Sequence, residues 1–391
     1  MARSLEYWSR VRGSEPALFE GETELTYADW NHYADLLADA FADRGLGLDD
    51  VIAVRCRNRM EWAVIALACA KLDARLVTLD AGLSAPDLRD RLIAARAAAL
   101  IIGDADPADV ALALEGLPLR LSATLDTAAP GFFNFWDLFG PAAPPRFGRA
   151  QPSQLAWTAG STGAAKAVTL PRRITAPASI SKVAIPDRGC SLITVPLHRV
   201  WGPVQFWAAL GAGRAIAFLR KYAAAGALQL IERRRVSHWS ALPESFDAIR
   251  RLPADAIETT DLTSLRELVI GGGAVSWPLK AWLLERFGAI VNEAYGSTET
   301  GVIALMPGER AHTKPGSCGR AIKGASIEVR DGEGRRLPAG TDGEIWARTP
   351  RSLECRLSGP NARRDDNGFV ATGDIGRLDL DGFLYITGRT Q

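Results

Sequence analysis

The chain of 391 residues has few cysteines, no long apolar run and almost no net charge. Its five cysteines, Cys56, Cys69, Cys190, Cys318 and Cys355, are scattered, odd in number and nowhere spaced C-x-x-C. That argues against a disulfide framework or a zinc site and fits a reducing, cytoplasmic setting. The stretch after Met1 is polar and charged rather than apolar, so no signal peptide is expected. The longest apolar runs, such as 63–70, fall well below the roughly 20 residues of a membrane-spanning helix, and no membrane span is expected. Lys plus Arg number 46 and Asp plus Glu 45, a net charge of +1, so no global field draws nucleic acid. The local basic run Arg233-Arg234-Arg235 reads as a solvated helix end. No internal repeat or low-complexity tract is present.

What remains is ordinary globular composition, 47% hydrophobic and 23% charged, enough for a large core or several packed lobes. The first third alternates strand and helix. Thr26 with Asp29 makes an N-terminal cap. Tyr33, Leu36, Leu37, Ala40 and Phe41 then recur at helical spacing up to Gly45. Segments 51–54, 76–79 and 98–102 read as strands, and 61–72 and 85–95 as helices. Such alternation implies parallel pairing with right-handed crossovers. Residues 124–149, rich in Pro, Gly and aromatics, read as a connection. Strand-like 154–158 enters a glycine-rich loop, and a second α/β stretch follows through 192–195, 215–219, 268–270 and 289–292. After Gly316, short segments separated by Asp331-Gly332, Asp342-Gly343 and Asp381-Gly382 read as a small antiparallel β lobe.

Three segments carry chemistry. At 158–168 the sequence is TAGSTGAAKAV. Small, hydroxyl and glycine residues before a lysine can wrap backbone N–H groups and a positive charge around phosphate oxygens. The Walker pattern is not met, and alone the segment equally fits a flexible surface loop. At 295–300 the sequence is YGSTET after Asn292-Glu293-Ala294. There Tyr295 can stack on a purine, Thr298 can bond a phosphate oxygen and Glu299 can hold Mg²⁺; a polar turn with a solvated Glu is the plain alternative. At 371–376, ATGDIG leads to Gly388-Arg389. A carboxylate in a glycine-flanked turn can hold paired ribose hydroxyls, or merely bond its own backbone.

In this order the three segments resemble the adenylate-forming superfamily: acyl-CoA synthetases, nonribosomal peptide synthetase adenylation domains and firefly luciferase. The family motifs run roughly [ST]-[SG]-G-[ST]-T-G-x-P-K-G-V, then Y-G-x-T-E, then T-G-D followed by G-R. Weaker matches at 25–30, 57–58, 261–275 and 314–324 extend the resemblance over nearly the whole chain. It implies an α/β fold of two mixed, largely parallel sheets flanked by helices, plus a small antiparallel β-barrel-like lobe. The lobes would span 1–150, 151–313 (with the phosphate loop) and 314–387. Residues 388–391 would start a hinge, ahead of a small C-terminal domain that this chain lacks, as if truncated there.

The resemblance also implies roles. Thr158, Ser161, Thr162, Gly163 and Lys166 would line the β,γ-phosphate loop. Gly271, Gly272, Gly273 and Ala274, with Glu293, Ala294, Tyr295, Gly296 and Ser297, would frame adenine and the acyl pocket. Thr298 would bond the α-phosphate, Glu299 would bind Mg²⁺, and Asp374 and Arg389 would hold the ribose. Catalysis would rest on Thr298, Glu299 and Lys166. His198, Arg199, Trp201 and Gly202, with Gly271 and Gly272, would line the substrate pocket. Aligning Pro196 and Gly202 with the family puts Arg199 where a His is usual and His198 one place early, so either can face the substrate. The implied activity is an acyl-CoA synthetase using ATP, Mg²⁺ and coenzyme A, or a carrier-protein thiol in place of coenzyme A. Ala159, Ala165 and Ala167 depart from the phosphate-loop pattern. They keep open a ligase that only converts preformed acyl-AMP, or a non-catalytic binding module. The Phe-Asp pair that holds an amino group is absent, which favours an ordinary carboxylic acid.

Overall fold

A computed structural model describes residues 5–127, 129–140, 153–158, 166–170, 188–354 and 363–390. Two sheets organise them, of seven and thirteen strands. The first runs, in spatial order, Phe133–Asn134, Leu121–Thr124, Ala97–Ile102, Val51–Arg55, Arg75–Leu79, Ser153–Thr158 and Lys166–Leu170. Its neighbours are parallel except for the last pair. Val51–Arg55 and Ala97–Ile102 are buried along their whole length. A parallel sheet covered on both faces needs such uninterrupted apolar runs.

The second sheet has a parallel half and an antiparallel half. Pro16–Glu20, Ala215–Phe218, Cys190–Ile193, Val236–Ala241, Glu267–Gly271 and Val291–Ser297 form the first part, with Thr23–Thr26 antiparallel to Pro16–Glu20 at its edge. Gly301–Met306, Gly319–Ala321, Phe383–Arg389, Val370–Leu378, Gly343–Arg348 and Ser326–Arg330 continue the same sheet antiparallel. One large apolar cluster draws on strands of both sheets and on the helices Tyr27–Ala42, Met60–Lys71 and Trp201–Ala212. Every residue of Met60–Lys71 is buried, its apolar residues in the core and its two charges, Glu61 and Lys71, paired with Arg59 and Asp35. Tyr27–Ala42 starts with the full capping box: Thr26 accepts from the Asp29 amide while the Asp29 carboxylate accepts from the Thr26 amide.

The lobe boundaries read from sequence do not follow these sheets. Pro16–Glu20 and Thr23–Thr26 leave the first lobe and join the second sheet, with Leu18 opposite Ile216. Ser153–Thr158 and Lys166–Leu170, read as the start of the second lobe, complete the first sheet beside Arg75–Leu79. A strand's apolar pattern announces a strand but not its partner, because pairing is settled by long-range burial. Two smaller differences are local. The connection at 124–149 contains the short strand Phe133–Asn134 and a 3₁₀ turn that buries Phe135 and Leu138. The strand expected at 289–292 starts at Val291 and runs through Tyr295 to Ser297. The basic run is paired: Arg233 with Glu22, Arg234 with Glu24 and Arg235 with Asp261. Among the described residues no helix is long and apolar enough to cross a membrane, and Cys56, Cys69, Cys190 and Cys318 are buried free thiols.

Candidate active site

The site forms where the parallel half of the large sheet turns antiparallel. Gly271 closes its strand in register with Ala294. A Cβ on Gly271 would lie 2.5 Å from the Ala294 carbonyl oxygen, so only glycine allows the two backbones this approach. Gly272 has φ +74°, and a Cβ there would press within 2.9 Å of Leu242 and 3.7 Å of the Trp201 indole. Gly272, Gly273 and Ala274 are exposed. An open backbone ledge thus lies over Trp201 and Leu242.

Tyr295 brings the second and third motifs together. Its hydroxyl donates to Asp374 Oδ2 at 2.7 Å, across 79 positions of sequence. The other Asp374 oxygen stands 3.7 Å from Arg389 Nε, and Asp374 and Arg389 are direct cross-strand partners. The Asp374 amide donates to Thr372 Oγ1, whose own proton goes to the Ile345 carbonyl. Burial, reinforced by the Asp374 charge, pushes the Tyr295 phenol well above its ordinary range. It stays protonated and donating.

The turn after Tyr295 is laced from within. Ser297 Oγ and Thr300 Oγ1 are 2.9 Å apart. The Thr298 carbonyl accepts from Arg351 Nη2 at 3.0 Å and the Thr300 carbonyl from Thr349 Oγ1 at 2.7 Å. A Cβ on Gly296 would overlap the Gly301 carbonyl. Glu299 is half-buried at this turn. Among the described residues neither its carboxylate nor the Thr298 hydroxyl has a hydrogen-bond or ion-pair partner. Glu293, expected to frame the nucleotide, is committed elsewhere: its carboxylate meets Lys280 Nζ at 2.7 Å and only 9% of the residue is exposed. Burial raises its pKa against the pull of Lys280.

On the acyl side, Asn58 clamps the backbone at 193–197. Its amide donates to the Val195 carbonyl at 3.0 Å and accepts from the Leu197 amide at 3.0 Å. The chain then folds so tightly that a Cβ on Gly202 would lie 2.7 Å from the Pro196 carbonyl oxygen. The two candidate side chains separate. His198 Nε2 is 3.5 Å from Asp80, just past the strand Arg75–Leu79. Burial lowers its pKa, opposed by Asp80 and assisted by Arg199. Arg199 stands 3.9 Å from Glu244, which itself borders Gly273. Trp207 and Trp239 are core residues, whereas Trp201 is half-buried under the glycine ledge.

Thr158 and Lys166 are cross-strand partners at the edge of the first sheet. Residues 159–165, with Ser161, Thr162 and Gly163, lie outside the described residues. Sequence reasoning missed Asn58 as a clamp, Lys280, and the Arg351 and Thr349 braces. Lys280 had one signal: a lysine among Leu279, Leu283 and Leu284 on the buried face of its helix. A charge there needs a partner.

The AMP-binding enzyme family model matches residues 5–355. Among curated proteins, the chain is 27% identical to an indoleacetate–CoA ligase from Aromatoleum aromaticum, over 99% of this chain and 78% of that one. It is 28% identical to the fatty acid–[acyl-carrier-protein] ligase ScoC of Streptomyces coeruleorubidus, over 100% of this chain and 77% of that one. Among solved structures, the amide bond synthetase McbA from Marinactinospora thermotolerans superposes with a TM-score of 0.84 at 27% identity, over 96% of this chain and 77% of McbA. From its fold, its motifs and this match, the chain belongs to the AMP-binding enzyme family, within the adenylate-forming superfamily.

Proposed function

We propose that this protein activates a carboxylic acid as its acyl-adenylate with ATP and then passes the acyl group to the thiol of coenzyme A. The observation that carries this reading is the meeting of Tyr295, Asp374 and Arg389 beside the open ledge at Gly272 and Gly273. An aromatic face, a carboxylate for paired hydroxyls and an exposed backbone are what an adenosine needs. Adenine would lie between the Tyr295 ring and the ledge, with Ala274, Ala294 and Gly296 around it. Asp374 and Arg389 would hold the ribose. Thr298 would meet the α-phosphate, and Thr158, Ser161, Thr162, Gly163 and Lys166 the outer phosphates. The acid would enter between Gly271, Gly272, Trp201 and Gly202, with His198 and Arg199 at its rim. Glu293 is spent on Lys280 and Ser297 on Thr300, so neither takes a direct part.

The half-buried carboxylate of Glu299, without a partner among the described residues, is the right donor type for Mg²⁺, a hard cation that takes oxygen ligands. Bound there, the ion would offset phosphate charge. In the first half-reaction an acid oxygen bonds the α-phosphorus and the bond to pyrophosphate breaks. In the second, the thiol sulfur bonds the acyl carbon, the bond to AMP breaks and the thiol proton is released to solvent. No covalent protein nucleophile is required; positioning and charge neutralisation are the protein's task. Relatives named as CoA ligases support the acceptor, while ScoC is named for a carrier protein and McbA for amide bonds.

The test is ATP–pyrophosphate exchange over a panel of aromatic and aliphatic acids, followed by thioester formation with coenzyme A or a carrier-protein thiol. Exchange with at least one acid and thioester formation with coenzyme A are expected. Ala165 and Ala167 motivate a second reading. No exchange, with thioester formed from synthetic acyl-AMP, would replace adenylation by transfer alone. Neither reaction would end the catalytic reading.

A further inference from the structure

Lys280 sits on the helix Trp277–Phe287 and is 2% exposed. Its ammonium donates at 2.7 Å to Glu293 and at 2.7 Å to the carbonyl of Ser317. Glu293 belongs to the strand Val291–Ser297, two positions before Tyr295 and on the same face. Ser317 precedes Cys318, which belongs to the small apolar cluster that Tyr295 packs against together with Leu384. Ser317 is itself tied down: its hydroxyl donates to the Leu384 carbonyl at 2.8 Å and accepts from the Gly319 amide at 3.0 Å. Leu384 lies on the strand Phe383–Arg389, which carries Arg389 opposite Asp374.

One buried ammonium therefore holds both the strand that carries Tyr295 and the shelf on which Tyr295 rests. We infer that Lys280 is a positioning residue for the nucleotide site, setting Tyr295 against Asp374 without touching the ligand. The inference rests on the reading of Tyr295 and Asp374 as adenosine contacts. Physically, an ammonium satisfies two acceptors at once and in one direction each, so it fixes the spacing between strand and shelf. An apolar side chain of similar length would fill the space and fix nothing.

The test uses the pair Lys280→Met with Glu293→Gln, since the lysine change alone leaves a buried, unpaired carboxylate that endangers folding. Two readouts are taken on the double variant and the unaltered protein. The first is the Tyr295 ring-carbon signal in NMR of ¹³C-tyrosine-labelled protein without nucleotide, assigned with Tyr295→Phe. The second is AMP affinity by calorimetry. The Tyr295 signal is expected to shift or broaden and AMP affinity to fall about tenfold, while urea unfolding stays cooperative. An unmoved signal and unchanged AMP affinity would overturn the inference and leave Lys280 a purely structural residue. If unaltered protein fails to bind AMP while the Tyr295 signal still moves in the variant, the adenosine reading of the site is what fails. The variant is then known to disturb Tyr295 regardless.

Discussion

Within the large sheet, the parallel strands Cys190–Ile193 and Glu267–Gly271 are buried at every position. The antiparallel strands Val370–Leu378 and Phe383–Arg389 keep half-buried and exposed residues along much of their length. The proposed site takes something different from each half. From the parallel half come shape and close approach: Gly271 against Ala294, and the ledge above Trp201. From the antiparallel half, and from the turn that opens it, come Asp374, Arg389 and Glu299. A charge fully covered by apolar neighbours costs several kcal/mol unless paired. Charged groups meant for a ligand therefore belong on the half that is only partly covered. The buried charged pair Lys280 with Glu293, at the covered end, is spent on itself.

If this division holds, charge changes on the antiparallel side should injure ligand chemistry more than stability. Glu299→Gln should cut ATP–pyrophosphate exchange by about 10²–10³, the worth of a well-placed transition-state charge, and leave the urea midpoint almost unmoved. Undiminished exchange would remove Glu299 from the site. Asp374→Asn keeps an acceptor for the Tyr295 hydroxyl and loses the charge facing Arg389. AMP binding, followed by calorimetry, should weaken by about 1.5–3 kcal/mol; an unchanged affinity would place the ribose elsewhere.

Shape changes on the parallel side should show the opposite balance. Gly271→Ala puts a Cβ against the Ala294 carbonyl, and the strands must part. Urea unfolding should report a loss of about 1–3 kcal/mol, with AMP binding falling in step. A variant as stable as the parent would mean that the ledge yields. The gentlest probe is pH. Burial, helped by Arg214 and Arg266, brings the His238 pKa down to about 3, whereas an unfolded histidine titrates near 6.5. Below that value the unfolded chain takes up a proton that the fold refuses. Stability should therefore drop as pH falls from about 6.5 towards 3, by up to about 1.4 kcal/mol per pH unit. His238→Asn should flatten that slope; an identical slope would show that other groups set it.

The helix Ala85–Ala95 was legible to the residue, and the capping box at Thr26 was legible as an interaction. The buried strands at 51–55 and 97–102 were nearly so. Their signals are local: a cap, a period, an apolar run. The segments at 295–300 and 371–376 could be picked out from composition and order as candidates. The contact between those two was not, because Tyr295 and Asp374 touch only after the strand Val370–Leu378 pairs beside Phe383–Arg389 and closes on the sheet.

Two glutamates a few positions apart mark the boundary. Glu293 and Glu299 read alike in sequence, each an acid close to an aromatic-glycine pair. Local chemistry by itself set that both segments would be strand and turn, with acids on them. Whether an acid serves a ligand or the core depends on what packs over it. Lys280, from a helix earlier in the chain, reaches Glu293 and buries it, while Glu299 stays half-open in its turn. That choice was made by tertiary packing, because an ion pair forms where folding removes water from both charges at once, and no local pattern records which distant residue will be there.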